Sequence, residues 1–406
     1  MGITRAAPGR LARLGLIALA ACLADCAACD TVPPTAVTSC EQSLVVPGAA
    51  KTDILFVVDD SGSMAGAQAN LQANFQAFVD RLVASPVKND FQIGVTTTSV
   101  DTHVSGTYPN TFVNGANSAP CTNPPYASSA TYPQGALVSV TADTGGNRIQ
   151  STTQPPRILA ASSPTLVADF TADVNVGICG SGKEQGLEAA RLALEAAQPG
   201  GANEGFLRPG ARLAVVIVSD DDDCSDPLHQ GTSREPTACT SYDVQNYVDY
   251  LTSPIAGEVR PSIVGAIIAV DPATLQPSAC TEPSGNDAEH GAIRYRAFAD
   301  AFGADALVDS VCNASFHDTL VRIAGLIDPG QVMPLEGVPA DWRMLLVAVA
   351  KADGSRVPCV VGDGTDPSAD VIYLPPAGSE PARLQFSGAC TLQLGDDVDV
   401  KVLCAG

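Results

Sequence analysis

Twelve residues constrain this chain more than any other stretch: Asp53-Ile54-Leu55-Phe56-Val57-Val58-Asp59-Asp60-Ser61-Gly62-Ser63-Met64. Ile54 to Val58 is a run of branched and aromatic residues without polar alternation. That is the pattern of a strand buried on both faces, as in a parallel sheet covered by helices. The run stops abruptly in oxygen-bearing side chains, with Asp59, Ser61 and Ser63 at alternate positions around Gly62. Open α/β sheets bind ligands in the crevice at the carboxyl ends of their strands. One carboxylate and two hydroxyls there suit a hard cation such as Mg²⁺, which takes oxygen ligands and keeps several of its waters. A turn that merely closes the strand is the plain alternative for these residues taken alone.

Two later stretches repeat the theme. The glycine-rich loop Gly177-Ile178-Cys179-Gly180-Ser181-Gly182-Lys183-Glu184-Gln185-Gly186 runs into a helix with Leu187, Ala190 and Leu194 on one face. The loop lacks the spacing of a phosphate-binding loop and no strand leads straight into it, so a nucleotide is not expected. The apolar strand 213–218 ends in Ser219-Asp220-Asp221-Asp222-Asp223. These acids repel one another unless a cation or solvent screens them, so a second cation, Ca²⁺, bound within 220–226 and a solvated acidic loop are both open readings.

Together these stretches resemble a von Willebrand factor type A domain and its metal-ion-dependent adhesion site. The Asp59-x-Ser61-x-Ser63 turn matches the first metal loop, and Ser219-Asp220 matches the Thr-Asp of the third. The resemblance implies a Thr in the second loop, which this chain lacks; Ser181 is the nearest match and Glu184 the fallback. Asp221 and Asp222 extend the candidate metal set. The family implies Mg²⁺, with Mn²⁺ or Ca²⁺ as substitutes, whose shell a carboxylate from a protein partner completes.

The remaining pattern fits that fold. Leu71, Phe75, Phe78, Val79 and Leu82 form one helical face; strands are expected at 91–98 and 262–270, with helices near 244–251, 293–302 and 316–327. Alternating strand and helix from 51 to 328 predicts a doubly wound, mostly parallel α/β sheet. Residues 101–160 interrupt it with prolines and small polar residues, an insertion that serves as a ligand-facing lid or a surface loop. From 329 to 406 the period changes to two: Val398, Val400 and Val402, then Leu384 and Phe386, alternate with polar residues. This predicts a small antiparallel β-sandwich-like domain.

The first 21 residues hold Arg5, Arg10 and Arg13 before a short apolar run ending in Leu19-Ala20-Ala21-Cys22. That reads as a signal peptide with a bacterial lipobox, Cys22 being the lipidated residue and 22–50 a tether. Removing residues 1–21 takes the formal charge from −22 to −25, which excludes a basic surface for nucleic acid. Of 13 cysteines, twelve remain after Cys22, an even number that in an exported chain predicts disulfides. Proximity suggests Cys224 with Cys239, Cys280 with Cys312, and Cys390 with Cys404. The expected function is an exported, lipid-anchored, metal-dependent binding or adhesion protein of the bacterial cell envelope, in the outer membrane, the periplasm or at the cell surface, with the membrane reached through its anchor only. The alternatives are a metal-dependent hydrolase, disfavoured because the four histidines sit outside the metal loops, and a structural envelope protein with a purely stabilising cation.

Overall fold

A computed structural model of the chain describes residues 38–39, 50–100, 132–142, 148–178, 180–226, 242–282, 285, 287–288, 290–328, 330–335, 337–376, 381–393 and 396–404. Cys22, the signal peptide and Cys239 lie outside the described residues, as does most of the insertion. Among the described residues no helix is long and apolar enough to cross a membrane.

The first layer set runs β1 (Ala50–Val58), α1 (Ala65–Val83), β2 (Asn89–Thr97), β3 (Ile158–Ala160), α2 (Leu166–Asp173), α3 (Gly186–Glu195), β4 (Arg212–Val218), α4 (Gln245–Thr252), β5 (Ser262–Ile268), α5 (Ile293–Asp300), β6 (Ala306–Ser310) and α6 (His317–Ile327). The strands form one six-stranded sheet in the order β3-β2-β1-β4-β5-β6. Every pairing is parallel except that of β3 with β2. Ile54 pairs in register with Ile93 on one side and Ala214 on the other, so β1 is central. Ile54 to Val58 have no solvent exposure, as an unbroken apolar run requires when helices cover both faces. Helix α1 packs on α2 and α6, and α4 packs on α3 and α5. Phe56 points into the first of these layers and meets Phe75, Phe78 and Phe170 edge-on, with ring centroids 6.2, 5.7 and 4.8 Å away. Burying each such ring contributes about 1.5–3 kcal/mol.

The sheet's antiparallel edge, β3, lies inside the stretch read as an insertion. A second piece of that stretch is a hairpin of Ser139–Ala142 with Arg148–Ser151. The backbone N–H of Val140 donates to Asp173 Oδ1 at 2.7 Å, tying the hairpin to α2. The chain leading into it presses on β2 at Gly94, where an added Cβ would sit 2.8 Å from Leu137 and 3.0 Å from Phe206.

The C-terminal part has two four-stranded sheets around a core of its own. One holds Thr38–Ser39, Asp397–Cys404, Leu345–Ala350 and Arg356–Cys359, in that order and antiparallel. The other holds Val332–Pro334, Arg383–Phe386, Val371–Leu374 and Val361–Gly362, the last pair parallel. Val347, Val349 and Val400 from the first sheet share this core with Val371, Leu384 and Phe386 from the second. Two findings depart from the reading of the sequence. Thr38–Ser39, within the stretch read as a tether, is a strand paired with Leu403 and Cys404. Ala50 and Val87, from β1 and the turn before β2, belong to the second core.

The disulfides partly follow sequence proximity. Cys280 bonds Cys312 as expected. Cys390 bonds Cys359, not Cys404, because the short turn Gly388–Cys390 packs against the strand Arg356–Cys359. Cys404 ends the strand at the far side of that sheet, two strands away from Cys359. Cys224 is disulfide-bonded.

Candidate functional site

Strand β1 is followed in the sheet by β2 on one side and, after the crossover past β3, by β4 on the other. The carboxyl ends of β1 and β4 therefore flank the topological switch point, where doubly wound sheets open a crevice. Asp59 sits at that point. Its N–H donates to Val218 O at 2.9 Å, which extends the β1–β4 ladder by one residue. The side chain is fully buried. Oδ1 accepts from Ser61 N at 2.8 Å and from the Thr98 hydroxyl at 3.3 Å. Oδ2 accepts from the Ser219 hydroxyl at 2.6 Å. The Ser61 and Ser63 hydroxyl oxygens lie 3.5 Å apart, and the Ser63 hydroxyl donates to Asp220. The first and third loops, read as metal loops, are thus in direct contact.

The electrostatics are those of crowded acids withdrawn from water. Burial raises the pKa of Asp59, against the hydrogen bonds of Ser219 and Ser61. Burial and then the charge of Asp59 push Asp220 up to about 8. Burial, then Asp59 and Asp221, then Asp220, hold Glu184 well above the carboxylate range. Asp220 is 2% exposed and its Oδ2 is buried with no hydrogen-bond partner among the described residues. A buried acceptor is normally satisfied, since leaving one unmade costs about 1–3 kcal/mol. A hard cation would satisfy it, and two hydroxyls with buried carboxylates are the oxygen donors such an ion takes. Among the described residues no three His, Cys, Asp or Glu side chains are grouped so as to hold a metal by themselves.

The second loop resolves differently from the third. Ser181 is engaged locally: its N–H donates to the Ser99 hydroxyl at 2.7 Å and its own hydroxyl accepts from Lys183 N at 3.0 Å. Glu184 is buried, and its carbonyl accepts from Cys224 N at 2.7 Å. In the acidic run the fold separates the charges. Asp221 reaches His290 Nδ1 at 3.2 Å, a histidine that sequence distance had set apart from the metal loops. Asp222 Oδ1 accepts from Arg294 N at 2.8 Å. Asp223 pairs with the Arg294 guanidinium at 3.2 Å and accepts from Leu187 N, in the first turn of α3, at 3.2 Å. Burial raises Asp222 to about 6. Protein donors screen Asp222 and Asp223, so of this run it is Asp220 that the fold joins to the first loop.

Several residues of the site escaped the sequence reading. Thr98 and Ser99 lie just beyond β2, beside Asp59; the hydroxyl run Thr96-Thr97-Thr98-Ser99 at a strand end was the signal for them. Ser99 also donates to Asp60 Oδ1 at 2.7 Å. Gln68 on α1 is a clamp that no local pattern marks. Its Nε2 donates to the carbonyls of Asp59 and Gly177 at 2.8 and 2.7 Å, and its Oε1 accepts from Gly177 N at 3.2 Å.

No protein-family model and no curated protein matches this chain. Solved structures do. A von Willebrand factor type A protein from Catenulispora acidiphila is similar at 12% identity and a TM-score of 0.35, over 88% of this chain and 59% of that one. Proximal thread matrix protein 1 from the mussel byssus is similar at 12% identity and a TM-score of 0.30, over 70% of this chain and 48% of that one. The pilus adhesin SpaC from Lactobacillus rhamnosus GG, in its open conformation, is similar at 10% identity and a TM-score of 0.35, over 88% and 39%. This chain thus spans less than two thirds of the length of each. The fold itself rests on strand order and register: an α/β protein with a six-stranded, mostly parallel, doubly wound sheet and small antiparallel sheets beside it.

Proposed function

We propose that this chain is an exported, lipid-anchored binding protein whose strand-end site holds a divalent cation and offers it to an acidic group on a protein partner. Asp59, Ser61, Ser63 and Asp220 would hold the ion, and a carboxylate from the partner would complete its shell by displacing water. The observation that carries this reading is the buried, unpartnered Asp220 Oδ2, tied through Ser63 to the Asp59 loop at the switch point. Asp59 does not depend on the ion for its place, because Ser61 N, Thr98 and Ser219 already orient it. A second Ca²⁺ in the acidic run is outside this reading, since Asp222 and Asp223 are engaged by Arg294.

The test is calorimetric titration of the mature chain with Mg²⁺, Mn²⁺ and Ca²⁺, beside Asp59→Ala. Saturable binding lost in the variant, with the thermal melt of the sheet kept, is the expected result; equal affinity in the two proteins would overturn it. Partner capture from envelope extract should require Mg²⁺ and fail in EDTA. The contact of His290 with Asp221 keeps a hydrolase reading in view, and turnover of a generic phosphoester that His290→Ala abolishes would favour it.

A further inference from the structure

The end of the sheet opposite Asp59 holds a cavity of about 240 Å³. It lies where Ala50 and Lys51 open β1 and Arg212 opens β4, and Val332, Pro334 and Arg383 of the C-terminal part close it from the other side. Most of its wall is apolar, with Val259, Pro261 and Pro381 beside those residues. Its charged groups run against the composition of the chain. Acids outnumber bases 44 to 22 overall, yet this cavity has Lys51, Arg212, Arg260 and Arg383 around one acid, Glu258. Lys51 is exposed and Val259 is 40% exposed, so the cavity opens to solvent on their side. Arg212 and Arg383 are themselves engaged; the donor left over belongs to Arg260.

Arg260 is the buried member of the set, at 5% exposure. A guanidinium carries N–H donors on all three nitrogens and no acceptor. Here Nη1 donates to Arg208 O and Ala211 O at 2.6 and 3.1 Å, and Nη2 pairs with Glu258 Oε2 at 2.7 Å. Nε is buried with no hydrogen-bond partner among the described residues. Glu258 leaves it open, and the Glu258 oxygens also accept from Gly210 N at 3.2 Å. Asp53 feels the charge of Arg260, but both Asp53 oxygens are held by Arg208. A buried charged donor is costly to leave unmade, and a carboxylate is an acceptor whose geometry matches a guanidinium. The apolar wall disfavours a strongly hydrated ion such as inorganic phosphate. We infer that this cavity binds a small organic carboxylate. The carboxylate accepts from Arg260 Nε, Lys51 adds charge at the mouth, and the apolar body of the ligand fills the space against Val332 and Pro334. The size agrees, because a cavity of about 150 Å³ already admits benzene, which leaves room here for a carboxylate as well. This site is independent of the proposed metal site.

The experiment titrates the mature chain with benzoate, benzamide and inorganic phosphate, read by ligand-observed NMR and by the thermal melt. Benzoate should bind saturably with a Kd of about 1 mM or below and raise the melting temperature. Benzamide, the same shape without the charge, should bind about tenfold more weakly, the worth of one charge-assisted hydrogen bond. Inorganic phosphate should not displace benzoate. Arg260→Lys keeps a charge but loses Nε, and should weaken benzoate by about tenfold. Lys51→Ala, at an exposed position, should weaken benzoate about two- to fivefold, as for an exposed ion pair, and leave the melt of the ligand-free chain unchanged. Val332→Phe fills the cavity and should abolish binding while the far-UV circular dichroism is kept. Equal affinity for benzoate and benzamide overturns the inference, as does full benzoate affinity in both Lys51→Ala and Val332→Phe. So does a failure to saturate at about 10 mM benzoate, which would mean that Nε holds only water.

Discussion

Single residues show how the loops of the site are held. Gly180 N donates to Asp60 O at 2.6 Å, and a Cβ at Gly180 would lie 2.2 Å from the Asp60 carboxyl and 2.7 Å from its carbonyl oxygen. Because the obstacle includes backbone, Gly180→Ala must push the second loop off the first. Overpacking of this kind costs about 1–3 kcal/mol; Gly182→Ala, with nothing within 4 Å, should be silent. Urea unfolding of the two variants checks this, and equal midpoints would refute it. Arg208 illustrates a different dependence. Its Nε and N–H hold the fully buried Asp53 at 2.7 Å each, and its guanidinium also reaches Thr52 O and Asp90 O. Arg208→Ala would leave a buried charge without its partner, a loss of about 3–5 kcal/mol in the same measurement. The Asp59 loop was legible in the sequence because its chemistry is local: an apolar strand, then alternating oxygen donors. Thr98 and Gln68 were not, because each depends on which strand ends the fold makes neighbours.

Among the elements, helices and central strands followed from apolar period, as did the edge strand at Ala306–Ser310, but the opposite edge did not. β3 is three residues long and lies in a proline-rich stretch, so no alternation announces it; it exists because β2 has an open edge. The hairpin is a separate two-stranded sheet, and Asp173 gives it a pH response. Burial pushes Asp173 up to about 8, against the Val140 N–H and with help from Asp169. The folded state therefore keeps a proton that the unfolded chain releases near the ordinary value of 3.8. Its stabilising contribution is full below that value, declines as pH rises, and is gone once pH has passed about 8. Asp173→Asn keeps an acceptor for Val140 and removes the titration. The melting temperature of the variant should gain on wild type between pH 5 and about 8 and level off above it; a constant difference from about pH 5 to 9 would defeat the assignment. The Cys359–Cys390 bond shows the same limit from another side, since sequence proximity favoured Cys404 and sheet order decided otherwise.

At the scale of the whole molecule, a second core gathers residues beyond 329, but also residues that the change of period there does not mark. Ala50 and Val87 fill that core and Thr38–Ser39 extends its first sheet. No pattern in a two-residue strand or a lone alanine predicts that. A fragment of residues 329–406 should accordingly melt well below the same part of the full chain, and adding back residues 36–50 in a fusion should recover part of the difference. Circular dichroism melts decide it; an equally stable fragment would show that the shared residues contribute nothing. The shared strand has one more consequence, which is mechanical. If the N-terminus is tethered and a partner grips the Asp59 end of β1, tension runs through Thr38–Ser39 before it reaches Ala50. Those two residue pairs peel first, opening one after the other. Only then does load enter β1 at one end and leave at the other. There the ladders to β2 and β4 share it in shear, bond against bond, instead of opening in turn. Pulled between its N-terminus and a grip at Asp59, a single molecule should therefore give a weak early yield, then a strong rupture: slack first, then grip.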